Sequence, residues 1–217
     1  MSMLSSFATF MHEGGSLMYY ISVVFLLGIG VCIERLIRYS QYNVNASAFM
    51  NEIQKLILAH KIKEAIQYCS GTTALLPRVI KSALKRSNQG MEQIQNAIDA
   101  GALEVIPLVE KRMHWVSLTA NISTLLGLLG TIFGLIDSFK AVEVADPSKK
   151  AEILSSGISV AMNTTALGLI SAIILMVVHA WLISNSEKII SDIDQYAVKT
   201  LDTLGTLKIS NDMKIDD

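Results

Sequence analysis

Three long stretches without a charged residue dominate the hydrophobic pattern of the chain. They cover residues 17–33, 113–136 and 153–186, with lengths of 17, 24 and 34 residues. A helix of about 20 apolar residues spans the hydrocarbon of a bilayer. The pattern therefore predicts three transmembrane helices. The third stretch corresponds to roughly 50 Å of helix against about 30 Å of hydrocarbon, so we expect it to extend beyond the bilayer.

The segments between and after these stretches also have a helical pattern. Apolar residues recur every three to four positions through 46–112 and again through 187–209, with a break expected at 71–73. From residue 91 the pattern continues into the second span, so we expect one long helix there, kinked at Pro107. The sequence therefore predicts an all-α integral membrane protein with long helical extensions outside the bilayer.

The distribution of Lys and Arg predicts the orientation of the spans. Eleven of these residues lie in 34–112 and four lie after 186, whereas 1–16 contains none. The connection 137–152 holds three, offset by four acidic residues. Because cytoplasmic loops carry the excess of positive charge, the N-terminus is expected outside and the C-terminus inside. Without a basic segment before it, the first span does not resemble a signal peptide and is taken as uncleaved.

These observations give an expected organisation of the chain. Its segments are an outer, periplasmic N-terminal segment (1–16), a first transmembrane helix (17–38), a cytoplasmic helical domain (39–112), a second transmembrane helix (113–138), a periplasmic loop (139–152), a third transmembrane helix (153–186) and a cytoplasmic C-terminal helix and tail (187–217). On the outer loop, Asp146 is expected to cap a helix whose first residue is Pro147.

Composition and charge exclude several classes of protein. Charged residues make up 17% of the chain, against about 25% in a typical soluble domain. The net charge of -1 argues against a nucleic-acid-binding protein, and two cysteines argue against a disulfide scaffold. The four histidines and two cysteines lack metal-ligand spacing, and neither a nucleophile–base arrangement nor a phosphate-binding loop is present. We therefore expect neither an enzyme nor a site for a metal or cofactor.

Small residues form stripes in the second and third predicted spans. Gly127, Gly130 and Gly134 line one helix face, and Gly168 and Ala172 share a face of the other helix. In lipid, such stripes allow helix backbones to approach closely. Close helix packing, without any ion path, would account for both stripes.

Polar side chains at one membrane depth add a second signal. Thr131 lies 16 residues after Trp115, and Thr165 lies 16 residues before Trp181. If both tryptophans lie at the inner interface, both hydroxyls lie about 24 Å from it. Asn163 and Thr164 lie close by.

Ionisable side chains are nearly absent from the spans. One titratable residue within them, His179, lies two residues before Trp181 and is interpreted as interfacial. A chain that moves protons by itself usually needs an acidic residue within the membrane. Any titrating carboxylate is therefore expected from a partner protein.

Two segments resemble the signature helices of a known family. The segments 125–139 (LLGLLGTIFGLIDSF) and 157–172 (GISVAMNTTALGLISA) are similar to those of the MotA/TolQ/ExbB proton-channel family, with the closest match to the TolQ/ExbB branch. The resemblance covers nearly the whole chain, including three spans and a long helical cytoplasmic segment. It implies a multi-pass protein of the bacterial inner membrane.

The resemblance also implies an assembly and its ion route. It implies a homopentamer whose axial pore holds two copies of an ExbD/TolR-like single-span partner, which supplies a membrane Asp. It further implies a TonB-like or other envelope protein as the recipient of the work. Thr131 and Thr165 match the family threonines that face the partner helix and line the ion route. The glycines at 127, 130, 134 and 168 match its close-packing glycines.

Two positions depart from the family pattern. ExbB and TolQ carry Glu where this chain has Val160, and they usually carry Pro where it has Thr124. Because this Glu is absent, the sequence does not decide whether the transported ion is H⁺ or Na⁺. Asn163 and Thr164 offer further oxygen ligands for Na⁺. The process that the work drives also stays open between outer-membrane transport, Tol-like envelope maintenance and gliding or secretion. The alternative function is a membrane scaffold or signalling subunit without ion flow.

Overall fold

The computed structural model describes residues 10–11 and 15–213, with side chains to 208. All regular secondary structure in this part of the chain is helical. The helices are α1 (Ser16–Tyr42), α2 (Ala46–Leu58), α3 (Ile62–Ser70), α4 (Leu75–Lys85), α5 (Met91–Glu110), α6 (Met113–Val144) and α7 (Lys150–Met213). Most of the predicted outer segment 1–16 and the last four residues, 214–217, lie outside the described residues.

Three helical stretches are long and apolar enough to cross a membrane. They are Ser16–Leu58, Met91–Val144 and Lys150–Lys208. The mean hydropathies of their 18-residue apolar segments are 2.2, 1.7 and 2.4. Each contains one of the uncharged stretches found in the sequence. The predicted class, an all-α membrane protein with three spans, is confirmed.

The chain divides into two compact units. The first unit combines the start of α1 with α6 and the first half of α7, and the second combines the rest of α1 with α2–α5 and the end of α7. In the first unit, α1 packs closely on both other helices at Gly28. A Cβ added there would lie 2.8 Å from Leu175 Cδ2 and 2.8 Å from the Thr119 hydroxyl oxygen. This contact joins the membrane parts of α1, α6 and α7.

The connection between α6 and α7 is shorter than the sequence predicts. The predicted loop 139–152 is helical at both ends, which leaves 145–149 as the connection. The backbone carbonyl of Asp146 accepts a hydrogen bond from the Lys149 N–H at 2.9 Å, within a turn. Helix α7 then begins at Lys150, so Asp146 and Pro147 precede the helix rather than start it.

The long helix expected from residue 91 into the second span, with a kink at Pro107, is interrupted at a different place. Pro107 lies inside α5, which ends at Glu110, and the chain turns at Arg112 with a left-handed φ of 63°. The guanidinium of Arg112 pairs with the Glu34 carboxylate on α1. The other carboxylate oxygen of Glu34 lies 3.5 Å from the buried Arg35 side chain. This charge cluster lies beside the start of α6.

The second unit is a helical bundle with its own apolar core. Helices α4 and α5 pack against each other, and α3 packs on α4. The Tyr39 hydroxyl donates a hydrogen bond to the Val109 carbonyl oxygen at 3.1 Å, which ties the end of α1 to the end of α5. Fully buried aliphatic side chains fill the interior; they include Met50, Ile53, Ile57, Leu75, Ile80, Leu84, Ile94 and Ile193. Burial of each such side chain contributes about 1.5–3 kcal/mol.

Candidate functional site

The two membrane helices α6 and α7 run antiparallel and meet along a seam of small residues. At Gly168, an added Cβ would lie 2.8 Å from the Gly127 Cα and 2.7 Å from the Ser123 carbonyl oxygen. At Gly134, an added Cβ would lie 2.9 Å from the Ala161 Cβ. Side chains at these two positions would push the helices apart. Because glycine has no side chain, the two backbones touch.

Further small residues lie between these two contacts and beyond Gly134. A Cβ at Gly130 would overlap the Thr164 side chain, and one at Gly157 would overlap the Ser138 hydroxyl. Thr164 is buried, and its hydroxyl donates to the Val160 carbonyl oxygen at 2.9 Å. On α6 the seam residues are 123, 127, 130, 134 and 138, and on α7 they are 157, 161, 164 and 168. Steps of three and four keep each set on one helix face.

Sequence reasoning missed part of this seam. Ser123, Ser138, Gly157 and Ala161 were not identified, although they continue the spacing of the glycines. The Ser138 hydroxyl donates to the Gly134 carbonyl oxygen at 2.5 Å, and the Ser123 hydroxyl donates to the Thr119 carbonyl oxygen at 2.9 Å. Both serines therefore satisfy their donors on their own helix and act as small residues. The signal that could have found them is the three-to-four spacing of all small residues, not of glycine alone.

Thr165 joins the two helices by a hydrogen bond. Its hydroxyl donates to the Gly127 carbonyl oxygen of α6 at 2.8 Å. The Thr131 hydroxyl instead donates to the Leu128 carbonyl oxygen of its own helix at 2.6 Å. Each hydroxyl hydrogen is engaged with a carbonyl, which leaves the oxygen lone pairs as the available groups.

Thr131 and Thr165 lie at one level and on one edge of the seam. Each follows a residue of the Gly130–Thr164 contact, so they differ by about 3 Å along the helix axes. At about 100° per residue, Thr131 lies about 60° and Thr165 about 70° from the centre of the seam. Because the helices are antiparallel, these rotations point to the same side. Thr131 and Thr165 therefore lie together on one edge of the seam, which we call the two-threonine edge.

The structure does not bring Asn163 and Val160 to this edge. Asn163 lies about 130° from the seam centre, on the opposite side from Thr165. Val160 lies about 140° round α7 from Thr165. A Cβ added at Gly15 would be 3.8 Å from the Val160 side chain, so Val160 faces the start of α1. The predicted polar cluster is thus divided, because Thr164 is buried inside the seam and Asn163 lies on the other side of it from Thr165. Ala172, one of the predicted packing residues, is buried one turn beyond Gly168.

Among the described residues, none places a charge on the surface beside the two-threonine edge. The stretches 113–136 and 153–186 contain no Asp, Glu, Lys or Arg. Large apolar side chains on α6 and α7 are exposed around it, among them Leu128, Leu135, Met162 and Leu169. A monomer rarely exposes so much contiguous apolar surface unless it faces lipid or other protein chains. The site can therefore offer hydroxyl oxygens in an apolar setting, but any charge must come from an ion or another chain.

Comparison with known proteins relates the chain to one family of membrane proteins. A sequence profile of the MotA/TolQ/ExbB proton channel family matches residues 72–195. A putative biopolymer transport protein ExbB homolog of Methanothermobacter thermautotrophicus is 24% identical over 207 residues, which cover 94% of this chain and 73% of the homolog. Putative biopolymer transport protein ExbB-like 3 of Synechocystis is 26% identical over 68% of this chain and 71% of its own length.

A third relative matches over a shorter region. Biopolymer transport protein exbB1 of Vibrio cholerae is 48% identical over 61 residues, which cover 28% of this chain and 27% of the relative. The family profile covers more than half of the chain, including all of α6 and the seam and two-threonine edge on α7. Together with the three apolar helices, these matches make the chain a multi-pass membrane protein that belongs to the MotA/TolQ/ExbB proton channel family.

Proposed function

We propose that this chain is one subunit of a homopentameric motor that couples H⁺ or Na⁺ flow across the bacterial inner membrane to mechanical work. Two copies of an ExbD/TolR-like single-span protein occupy the pentamer axis and each contribute one membrane Asp. The coarser role, a membrane channel or motor subunit of the ExbB type, follows from family membership. The observation that carries the finer proposal is the two-threonine edge beside the α6–α7 seam.

The two-threonine edge suits a carboxyl group that changes its protonation state. The hydroxyl hydrogens of Thr131 and Thr165 are engaged with carbonyls, so their oxygens accept a hydrogen bond from a protonated Asp or coordinate a cation. Loss of the proton or cation leaves a carboxylate in an apolar setting, which is costly. The partner Asp then moves to a more polar position. One charge that crosses 100 mV releases about 2.3 kcal/mol, so a few ions suffice for a conformational step.

The small-residue seam gives this edge its rigidity. Contact of the α6 and α7 backbones at Gly127 and Gly168 leaves little room for sliding, and the Thr165 hydrogen bond links the two helices at the same level. Such a helix pair moves as one body. Rotation of the pentamer relative to the partner dimer would therefore carry Thr131 and Thr165 together past the membrane Asp.

Orientation and partners complete the proposal. We place the N-terminus in the periplasm and the C-terminus in the cytoplasm, from the positive-inside rule. Work is delivered through the periplasmic part of the partner to a TonB-like or other envelope protein. The chain itself catalyses no covalent chemistry.

Native mass spectrometry tests the assembly. The chain is co-expressed with its neighbouring genes and purified in mild detergent. Five copies of the chain with two copies of a small single-span protein are expected. A monomer or dimer would overturn the pentamer. Ion uptake is then measured in vesicles that carry the complex and a membrane potential; a complex without ion flow would favour the scaffold or signalling function.

A further inference from the structure

Charges in the second unit are segregated between two neighbouring helices. The segment 75–90, which contains α4, has four basic residues and no acidic residue, whereas the segment 91–110, which forms α5, has four acidic residues and no basic residue. Nearly all of these side chains are exposed. Two neighbouring segments with opposite charges of four units each would be expected to pair their side chains.

The basic residues of α4 form a stripe, in which Arg78 and Lys85 are exposed and Lys81 is half-buried. Arg78, Lys81 and Lys85 are spaced by three and four residues, so they share one helix face. At about 100° per residue, this basic stripe lies about 100° round α4 from Val79 and Ser82, which contact Gly101 of α5. The centre of the basic stripe therefore points to the side of the α4–α5 pair. Lys85, at its end, also borders the groove between the two helices, together with Arg86 and Glu104, which lie outside the stripes.

The exposed acids of α5 form a second stripe. Glu92, Asp99 and Glu110 are spaced by seven and eleven residues and lie on one face. The centre of this acidic stripe lies about 170° round α5 from Gly101, which contacts α4. Leu103 lies in the middle of the acidic stripe and is 74% exposed. The two stripes thus cannot meet within one chain, and no ion pair joins α4 to α5 among the described residues.

We propose that the basic stripe of one chain docks on the acidic stripe of a second copy of this chain. This inference rests on the proposed homopentamer, in which each copy presents one face to each neighbour. Such a head-to-tail interface joins two different patches and closes into a ring. Charge complementarity selects the neighbour and the register, and Leu103 supplies apolar area between the ion pairs.

The heights of the residues fit this interface. The short connection 86–90 makes α4 and α5 antiparallel neighbours. Contact of Gly101 with Val79 and Ser82 then places residue 85 level with about residue 97. Five-fold rotation about an axis parallel to α4 and α5 leaves the height of each residue along that axis unchanged, so equivalent residues of neighbouring copies lie at the same height. Lys85 of one copy then lies within about 3 Å, measured along the axis, of Asp99 of the next copy. Both side chains are long enough to form an ion pair across this offset.

Disulfide trapping tests the interface in the full chain within native membranes. Lys85→Cys combined with Asp99→Cys is expected to give a ladder of covalent oligomers up to the pentamer on mild oxidation. An intrachain disulfide is excluded because the two stripes point apart and a disulfide needs Cα atoms within about 7 Å. The native cysteines, Cys32 and Cys69, are buried and do not interfere.

A matched control pair shows whether the ladder is specific. Lys85→Cys with Glu64→Cys joins the basic stripe to an exposed residue of α3 outside the acidic stripe. This pair is expected to remain mainly monomeric. An equal ladder from the control pair would mean random collision and would overturn the inference.

Charge reversal gives an independent readout. Arg78→Glu with Lys85→Glu is expected to reduce the pentamer fraction several-fold at low salt, and Glu92→Lys with Asp99→Lys in the same chain is expected to restore it. All four residues are exposed, so the fold should survive, which helicity and monomer size verify. If the wild-type chain is not a pentamer, the proposed function fails. If the pentamer forms but shows no ladder and no charge effect, only this interface fails, and anionic lipid or another protein covers the stripes.

Discussion

The hydroxyl of Thr165 donates a hydrogen bond to the Gly127 carbonyl oxygen at 2.8 Å and so ties α7 to α6 inside the membrane region. The bond lies beside the closest backbone approach of the two helices, at Gly127 and Gly168. It has two roles that can be separated by mutation. One is structural, as a link between helices, and the other is chemical, as the orientation of a hydroxyl oxygen toward the proposed partner Asp.

Thr165→Val is expected to abolish ion-driven work while the complex still assembles. Valine keeps the β-branched shape but removes the oxygen that would accept the proton of the partner Asp. The lost interhelical hydrogen bond costs only about 0.6 kcal/mol in a membrane protein, so assembly persists. The measurement is ion uptake by vesicles, with complex composition checked by native mass spectrometry. Thr165→Ser should retain uptake.

Thr124→Val serves as the control for this substitution. The Thr124 hydroxyl donates to the Ala120 carbonyl oxygen of its own helix at 3.3 Å, and its side chain is exposed. Its removal should change neither uptake nor composition. Normal uptake by Thr165→Val would remove Thr165 from the ion route.

Gly168→Ala is expected to destabilise the α6–α7 pair. The new methyl group would lie 2.7 Å from the Ser123 carbonyl oxygen and 2.8 Å from the Gly127 Cα, and backbone atoms cannot move aside without shifting a helix. Overpacking of this kind typically costs 1–3 kcal/mol. A lower thermal midpoint in detergent is the expected result. Gly30→Ala on α1 is the control, because an added Cβ there has no neighbour within 4 Å; equal midpoints for the two variants would contradict the seam.

Glu34→Gln is expected to loosen the turn between α5 and α6. The Glu34 carboxylate pairs with Arg112, whose backbone is left-handed, and it also lies 3.5 Å from the buried Arg35 side chain. Loss of a hydrogen bond to a charged group typically costs about 1.5–3 kcal/mol. Faster hydrogen exchange at residues 111–115 would show the loosening.

The matched control for Glu34 is an exposed ion pair in the second unit. Glu64 lies 3.1 Å from Lys61, and both side chains are more than half exposed. Such surface pairs contribute about 0–1 kcal/mol, so Glu64→Gln should have little effect. If exchange at 111–115 is unchanged in Glu34→Gln, the charge cluster does not determine the turn.

Cys69 is expected to be unreactive in the folded chain. Burial raises the pKa of this thiol from 9.0 to about 12, and nearby Lys81 offsets only part of that effect. Because the folded state holds its proton more tightly than the unfolded state, stability contributed by this group is complete below pH 9 and is lost as pH rises toward 12. Maleimide labelling at pH 8 should be slow until denaturant is added. Ser70→Cys, at an exposed neighbouring position, should label at once; rapid labelling of Cys69 itself would contradict its burial.

Some parts of the site could be inferred from sequence and others could not. The common level of Thr131 and Thr165 followed from counting residues to Trp115 and Trp181, because helix rise is constant. Grouping Asn163 with them was misleading, since nearness along the chain does not place residues on one helix face. The angular position of each residue depends on which face of α7 packs on α6, and that choice is tertiary.

The sequence by itself determined that the chain crosses a membrane three times as helices, because uncharged stretches of this length can satisfy their backbone polar groups in lipid only within helices. It also identified the glycines and threonines of the signature segments. Tertiary structure decided the register of α6 on α7 and the edge on which each hydroxyl lies. It also decided that the chain turns at Arg112, beside Glu34, rather than at Pro107. Such outcomes depend on contacts between residues far apart in the chain, which local spacing does not encode.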